Sequence, residues 1–124
     1  MRKSILIVDD SIAVAKQLEN VVESFAEYEI VGHARDGAEA IRLYKNLKPD
    51  VVLMDIVMPL MDGLQSLRAL MKIDPQAKVI MVSSVGGVGD KVEEALKLGA
   101  RHVVSKPFEA EKLKAVLDRV CVEG

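Results

Sequence analysis

The feature that most constrains this fold is an alternation between short, continuous apolar runs and longer segments with helical periodicity. The runs are rich in β-branched residues and cover positions 5–8, 51–54, 79–82 and 103–104, with a weaker run at 30–31. Continuous runs of this kind are typical of strands that are buried on both faces of a parallel sheet. The run at 30–31 is the least apolar, so we expect it to form an edge strand.

The segments between the runs predict five amphipathic helices, because apolar residues recur there every three or four positions. Ser11 is a suitable cap for the first helix. Pro49 and Pro75 prevent the second and third helices from continuing, and Gly99 is a typical residue after the end of a helix. Four of the five helices are therefore bounded at one end by a residue with a physical reason to stand there.

The resulting order, βαβαβαβαβα, predicts an α/β protein with a parallel sheet and right-handed crossovers. Five strands fit a doubly wound, flavodoxin-like sheet of order 2-1-3-4-5 better than a barrel, which needs about 250 residues. We expect one domain over residues 1–124. In such a sheet, ligands bind beyond the carboxyl ends of the strands where the winding reverses, between the first and third strands.

Composition excludes several classes of protein. Half of the residues are hydrophobic and 29% are charged, unlike a disordered chain. No uncharged apolar run approaches the roughly 18 residues of a membrane span, and Asp9 and Asp10 interrupt the first run before it could act as a secretory signal. A single cysteine, Cys121, favours a reducing, cytoplasmic location. A net charge of -2 with few aromatic residues argues against nucleic-acid binding.

Acidic residues end two of the apolar runs at the point where the winding should reverse. Asp9 and Asp10 follow the first run and Asp55 follows the third, so their carboxylates should lie side by side. Two carboxylates 4 Å apart repel by about 4 kcal/mol at an effective dielectric of about 20. Protonation, a cation or a lysine must offset this repulsion. Oxygen-only clusters bind hard cations, and one or two carboxylates with waters and a phosphate suit Mg²⁺.

Two further polar residues end the fourth and fifth runs. Ser83 closes the fourth, and Lys106 follows the fifth. Taken singly, an Asp pair is more often a helix cap, a serine a turn residue and a lysine a solvated charge. Together at one edge of the sheet, these residues favour a functional site over the structural explanations.

The sequence resembles the receiver domains of two-component response regulators, in particular the stand-alone, chemotaxis-type regulators. The resemblance spans residues 5–120 and rests on four motifs in order, at 7–11, 54–63, 83–84 and 106–108. Each motif alone is a modest signal, whereas all four at these separations are a strong one. A member of this family is a standard example of the order 2-1-3-4-5, so the strand order is not an independent prediction.

The resemblance implies a phosphorylation-activated switch rather than an enzyme, with at most self-phosphorylation from small donors and autodephosphorylation. Asp55 would accept the phosphoryl group. Asp10 would hold Mg²⁺ directly and Asp9 through a water molecule, and Asp55 with the backbone carbonyl of Val57 would complete the protein ligands.

Lys106 would contact the phosphoryl group and Ser83 would donate a hydrogen bond to it. That bond would draw in the glycine-containing segment 84–90, which we expect to be the mobile element. At Val103 the family usually has Tyr or Phe, which rotates inward on activation, so this half of the usual coupling is missing here.

The implied partners are a histidine kinase or phosphotransfer protein upstream and a target such as a flagellar-motor switch component downstream. We expect a cytoplasmic monomer that contacts neither nucleic acid nor membrane. The target surface would comprise 92–98, the fifth strand and 113–120. A chain that starts at Met1 and ends just past the last helix favours a stand-alone regulator, although an excised receiver domain stays open as an alternative.

Two other functions fit less well. A phosphatase of the haloacid-dehalogenase type would need a second aspartate two residues after Asp55, where Val57 stands, and a cap or longer core. A flavodoxin-like FMN carrier would need a Ser/Thr/Gly-rich loop after the first strand, where Asp9 and Asp10 would instead repel the phosphate.

Overall fold

The computed structural model describes residues 2–56, 63–83, 89–105 and 109–122. In these ranges five strands alternate with five helices, and the strands form one parallel sheet of order β2-β1-β3-β4-β5. The predicted fold class and strand order are confirmed. The elements are β1 (Lys3–Val8), α1 (Ile12–Glu23), β2 (Tyr28–Ala34), α2 (Gly37–Leu47), β3 (Val51–Asp55), α3 (Gly63–Ile73), β4 (Val79–Ser83), α4 (Gly89–Leu98), β5 (His102–Ser105) and α5 (Ala110–Val122).

Both faces of the sheet are covered, which explains why the strands read as unbroken apolar runs. Successive residues of a strand point to opposite faces, so Leu6 and Val8 pack with α2, α3 and α4. Ile5 and Ile7 pack on the other side with α1 and α5. Among the helices of the described ranges, none is long and apolar enough to cross a bilayer.

Strand β2 lies at the edge of the sheet, as the weakness of the run at 30–31 predicts. It is longer than that run and contains a bulge, because Ile5 pairs with Ile30 whereas Leu6 pairs with Gly32. Val31 is the extra residue, and a bulge of this kind bends and twists the strand locally. The strand continues to Ala34 and so reaches the carboxyl edge, where the candidate site lies.

The ends of the first two helices show how local sequence sets their bounds. Ser11 caps α1, because its hydroxyl oxygen accepts a hydrogen bond from the Val14 amide at 3.2 Å. Helix α2 ends at Leu47, before the residue that precedes Pro49. Lys48 adopts a left-handed conformation with φ of 47° and donates its amide to a carbonyl of the last turn. The α conformation is unfavourable for a residue that precedes proline. Pro49 therefore ends the helix by keeping Lys48 out of the α-helical conformation.

A polar network joins the start of β2 to α5. Tyr28 is buried, and its hydroxyl donates a hydrogen bond to Asp118. Lys114 lies 2.9 Å from Asp118 and 2.9 Å from Glu27. The hydrogen bond from Tyr28, with a second from Lys114, lowers the pKa of Asp118. Burial is the main reason that the pKa of Tyr28 is raised. These contacts fix α5 against one end of the sheet.

Candidate functional site

Three aspartates meet at the carboxyl edge of the sheet, between β1 and β3. Val8 pairs with Met54 in the parallel register, so the next residues along the two strands, Asp9 and Asp55, are neighbours. Asp9, Asp10 and Asp55 each place a carboxylate oxygen within 4.8 Å of the others. Asp9 and Asp55 are buried, whereas Asp10 is exposed. The cluster therefore has two acids inside the protein and one at the surface.

Asp9 is held by hydrogen bonds at its carboxylate, its amide and its carbonyl. Its carboxylate accepts a bond from the Ser11 amide at 2.8 Å, and its own amide donates to the Ala34 carbonyl at 3.0 Å. The Nε2 atom of His33 lies 2.9 Å from the Asp9 carbonyl oxygen. A carbonyl can only accept, so Nε2 carries the proton in this contact. Asp9 is thus hydrogen-bonded both to Ser11, the cap of α1, and to residues of β2.

His33 was not predicted to belong to this edge. The two histidines, His33 and His102, stand far apart in the sequence and lack the spacing of zinc ligands, so no motif marks either of them. The missing information is the length of β2, which continues beyond its apolar run. His33 pairs with Ile7, near the end of β1, and its ring therefore reaches the backbone of Asp9.

The three negatively charged carboxylates repel one another strongly. At 4.8 Å, two carboxylates repel by about 3.5 kcal/mol when the effective dielectric is about 20. Helix α1 begins directly after Ser11, and the partial positive charge at its N-terminus offsets a little of this repulsion. In the described part of the chain, this is the one group of three or more carboxylate, imidazole or thiol ligands close enough to share an ion.

The donor set fits Mg²⁺. All three side chains offer carboxylate oxygens, the ligand type that hard divalent cations prefer. Ligands on opposite sides of an octahedral Mg²⁺ lie about 4.2 Å apart, since each is about 2.1 Å from the ion. Carboxylate oxygens that all lie within 4.8 Å of one another are close enough to share one such ion.

Ser83 lies at the same edge of the sheet. Asp55 pairs with Val82, and the Ile56 amide donates to the Val82 carbonyl at 3.2 Å, so the ends of β3 and β4 are joined. Ser83 is the next residue, and only 2% of its surface is exposed. It pairs in turn with Ser105, the last residue of β5. Ser83 is therefore a buried hydroxyl next to the strand end that carries Asp55.

Several predicted site residues lie outside the described ranges, namely Lys106, Val57 and positions 84–88 of the segment 84–90. Val103 is described. It is half-buried on β5 and packs against the core that faces α2, α3 and α4. The valine side chain thus fills a core position where the family pattern would have a large aromatic ring.

Gly63 permits a close approach between α3 and the end of β3. Its amide donates to the Ile56 carbonyl at 2.7 Å. A Cβ at this position would lie 2.7 Å from the Ile56 Cα and 2.8 Å from the Ile56 carbonyl oxygen, and would overlap the carbonyl oxygen of Asp55. Glycine is therefore required for α3 to start against the backbone of Asp55. The sequence motif contains Gly63, but only the packing gives the reason.

Comparison with known proteins points to one family. The model of the response regulator receiver domain matches residues 5–118. A chemotaxis protein CheY from Thermotoga maritima is 42% identical over 120 residues, which cover 97% of this chain and 98% of that protein. CheY from Listeria monocytogenes is 42% identical over 115 residues, which cover 93% of this chain and 95% of that protein.

Solved structures agree with this result. The response regulator domain of Thermotoga maritima CheB superimposes with a TM-score of 0.87 at 34% identity and covers 100% of both chains. CheY in the CheX–CheY–BeF3–Mg²⁺ complex from Borrelia burgdorferi superimposes with a TM-score of 0.88 at 38% identity, over 95% of this chain and 88% of that one.

Proposed function

This chain belongs to the family of response regulator receiver domains, and from that premise we propose that it is a phosphorylation-activated signalling switch in which Asp55 accepts a phosphoryl group. The observation that carries the proposal is the cluster of Asp9, Asp10 and Asp55 within 4.8 Å at the carboxyl edge of the sheet. In this proposal residues 1–124 act as one receiver domain, which signals through protein contacts rather than by turning over a substrate.

The cluster would hold Mg²⁺ through Asp10 and Asp55 directly, through Asp9 by way of a water molecule, and through the backbone carbonyl of Val57. When bound, the ion neutralises the negative charge that builds up as a phosphate approaches the carboxylates. The hydrogen bond from the Ser11 amide supports this role, because it orients the Asp9 carboxylate.

The chemical step makes an acyl phosphate. A carboxylate oxygen of Asp55 attacks the phosphorus, and the phosphorus–nitrogen bond of a phosphohistidine, or the phosphorus–oxygen bond of a small acyl phosphate, breaks. The leaving group keeps the electron pair. The Lys106 ammonium would contact the transferred group and balance its charge. In the reverse half of the cycle, water attacks the phosphorus, and inorganic phosphate and the free Asp55 carboxylate are released.

Ser83 would report the phosphorylated state. The new phosphoryl oxygens are strong acceptors, and the buried hydroxyl of Ser83 would donate to one of them. Moving an equilibrium from 1:99 to 99:1 takes about 5.5 kcal/mol, and hydrogen bonds to charged groups contribute roughly 1.5–3 kcal/mol each. Bonds from Ser83 and Lys106 would carry most of such a shift, and a bound partner would supply the remainder.

The segment 84–90, whose last two residues begin α4, would be the part that moves, because it follows Ser83 directly and contains three glycines. Amide hydrogen exchange of this segment, with and without beryllofluoride as a phosphoryl mimic, tests the idea. We expect greater protection in the presence of the mimic. Equal protection in both states would remove the segment from the mechanism.

The partners would be other signalling proteins. Relatives of this chain are chemotaxis proteins, and one solved CheY is in a complex with CheX. We propose a histidine kinase or phosphotransfer protein as the donor and a target of the flagellar-motor switch class, contacted by the monomer through 92–98, β5 and 113–120. Because Val103 has no aromatic ring, target binding would not use the rotation of a ring at this position.

Intact-mass measurement after incubation with acetyl phosphate tests the proposed chemistry. The wild type should gain the mass of one phosphoryl group when Mg²⁺ is present and should lose it again on standing. Asp55→Asn should gain none. An adduct of equal yield without Mg²⁺, or on the Asp55→Asn variant, would contradict the proposal.

A further inference from the structure

A cleft between α3 and α4 is separate from the acidic site. It has a volume of about 670 Å³ and shares no residue with the aspartate cluster. Leu64 and Ala69 are its apolar lining residues, and Leu64 is buried. The remaining lining residues are exposed and polar or charged. They are Gln65, Arg68 and Lys72 of α3, and Lys91 and Glu94 of α4.

The cleft is positively charged on a protein that is negative overall. Among the lining residues that the structure describes, Arg68, Lys72 and Lys91 provide three cations and Glu94 provides one carboxylate. The whole chain has a net charge of -2. If Glu94 turned toward one of the cations, two positive charges would still face the cleft. The surface is thus complementary to an acidic ligand.

The three cations have no ion-pair partner among the residues that the structure describes. Two other exposed helix cations, Arg42 and Lys97, each lie within 3.5 Å of a glutamate on the same helix. Glu94 and the other described carboxylates therefore do not pair with Arg68, Lys72 or Lys91. An incoming acidic group could pair with these cations without breaking any ion pair between described residues.

The dimensions of the cleft indicate what would fill it. Leu64 and Lys72 are eight residues apart on α3, which corresponds to about 12 Å, or slightly more than two helical turns. Arg68 and Lys72 are four residues apart and lie on one face of the helix. A second helix laid along the cleft would match this spacing with acidic residues at positions i and i+4, and would turn an apolar residue toward Leu64.

We propose that the α3–α4 cleft binds an acidic amphipathic helix of a partner protein. A concave cleft with apolar residues in its lining suits a helix better than a flat bilayer surface does. Glu94 would repel the continuous phosphate backbone of a nucleic acid, whereas a helix can place a neutral or basic residue opposite it. The inference rests on the cleft alone and does not require that Asp55 be phosphorylated.

A synthetic peptide tests the proposal. The probe is a fluorescein-labelled 15-residue helical peptide with glutamates spaced four apart and a leucine stripe, and its affinity is measured by fluorescence polarisation. We expect the double variant Arg68→Glu, Lys72→Glu to bind at least tenfold more weakly than the wild type. The matched control is Lys16→Glu, Lys45→Glu. It changes the net charge by the same amount, in the middle of α1 and in the last turn of α2, away from the cleft. This control should bind the peptide within twofold of the wild type.

Three comparisons decide the outcome. Amide chemical-shift changes on adding the peptide should concentrate at 64–72 and 91–94, and a scrambled peptide of equal composition should bind at least tenfold more weakly. The neutral variant Arg68→Gln, Lys72→Gln, checked for folding by circular dichroism, should also lose affinity. Equal losses in the control variant, equal binding of the scrambled peptide, or no binding would overturn the proposal. Cleft-dependent binding of phosphatidylserine vesicles or of an oligothymidine instead of the peptide would overturn it as well.

Discussion

Replacing Asp10 by asparagine is expected to stabilise the folded protein when no divalent cation is present. Asp10 is exposed, and one of its carboxylate oxygens lies within 4.8 Å of oxygens from both Asp9 and Asp55. At that distance each pair repels by about 0.9 kcal/mol in the dielectric of water and by about 3.5 kcal/mol at a dielectric of 20. Because Asp10 faces solvent, the lower value applies, and removing two such repulsions should raise the free energy of unfolding by about 1–2 kcal/mol.

Urea unfolding followed by far-ultraviolet circular dichroism measures this change. Fluorescence of tryptophan is not an option, because the chain has none. The midpoint should rise while the slope with denaturant stays the same. Glu29→Gln is the control, since Glu29 is an exposed carboxylate on β2 near the opposite end of the sheet. It should change the free energy of unfolding by less than about 0.5 kcal/mol.

Mg²⁺ should cancel most of the difference in stability between the two proteins. At a concentration ten times its dissociation constant, Mg²⁺ stabilises the wild type by about 1.4 kcal/mol, because it binds only the folded state. Asp10→Asn should lose most of this gain. If the variant is less stable than the wild type in the presence of a chelator, or gains as much from Mg²⁺, the description of the cluster as a set of mutually repelling metal ligands is wrong.

Three further substitutions test the packing around the site, each by urea unfolding. Gly63→Ala should lower the free energy of unfolding by about 2 kcal/mol or more, because its Cβ would lie 2.7 Å from the Ile56 Cα; an unchanged midpoint would contradict this. Lys48→Gly should raise it by about 1 kcal/mol, because glycine adopts a left-handed φ without strain; a loss would contradict this. Tyr28→Phe should lower it by about 1 kcal/mol at neutral pH. Since the pKa of Asp118 is lowered in the folded state, that difference should persist above about pH 4 and shrink as the pH falls through the lowered pKa; a difference independent of pH would count against the bond.

Much of the fold follows from the sequence because the sheet is buried on both faces. Burial requires every residue of a central strand to be apolar, so the runs at 5–8, 51–54 and 79–82 mark three strands almost to their ends. The edge strand β2 is only half-buried, and polar residues are allowed in it. For this reason its apolar run is short, and its true length does not show in the sequence.

The proximity of Asp9, Asp10 and Asp55 also follows from the sequence, since parallel strands end at the same edge and the winding reverses between β1 and β3. Contacts that depend on how two elements pack do not. The His33 ring reaches the Asp9 carbonyl only because β2 extends beyond its apolar run to the carboxyl edge of the sheet. Gly63 is needed because α3 starts against the β3 backbone. Such constraints depend on how closely two elements pack, and they produce no periodic pattern in the sequence.

Locating the phosphoryl group on the chain shows whether Asp55 is the residue that accepts it. The protein is incubated with acetyl phosphate with and without Mg²⁺, reduced with borohydride, which converts an aspartyl phosphate to homoserine, and digested for tandem mass spectrometry. We predict one homoserine, at position 55, formed only when Mg²⁺ is present. Modification at Asp9 or Asp10, or the same yield at position 55 with a chelator, would contradict the account.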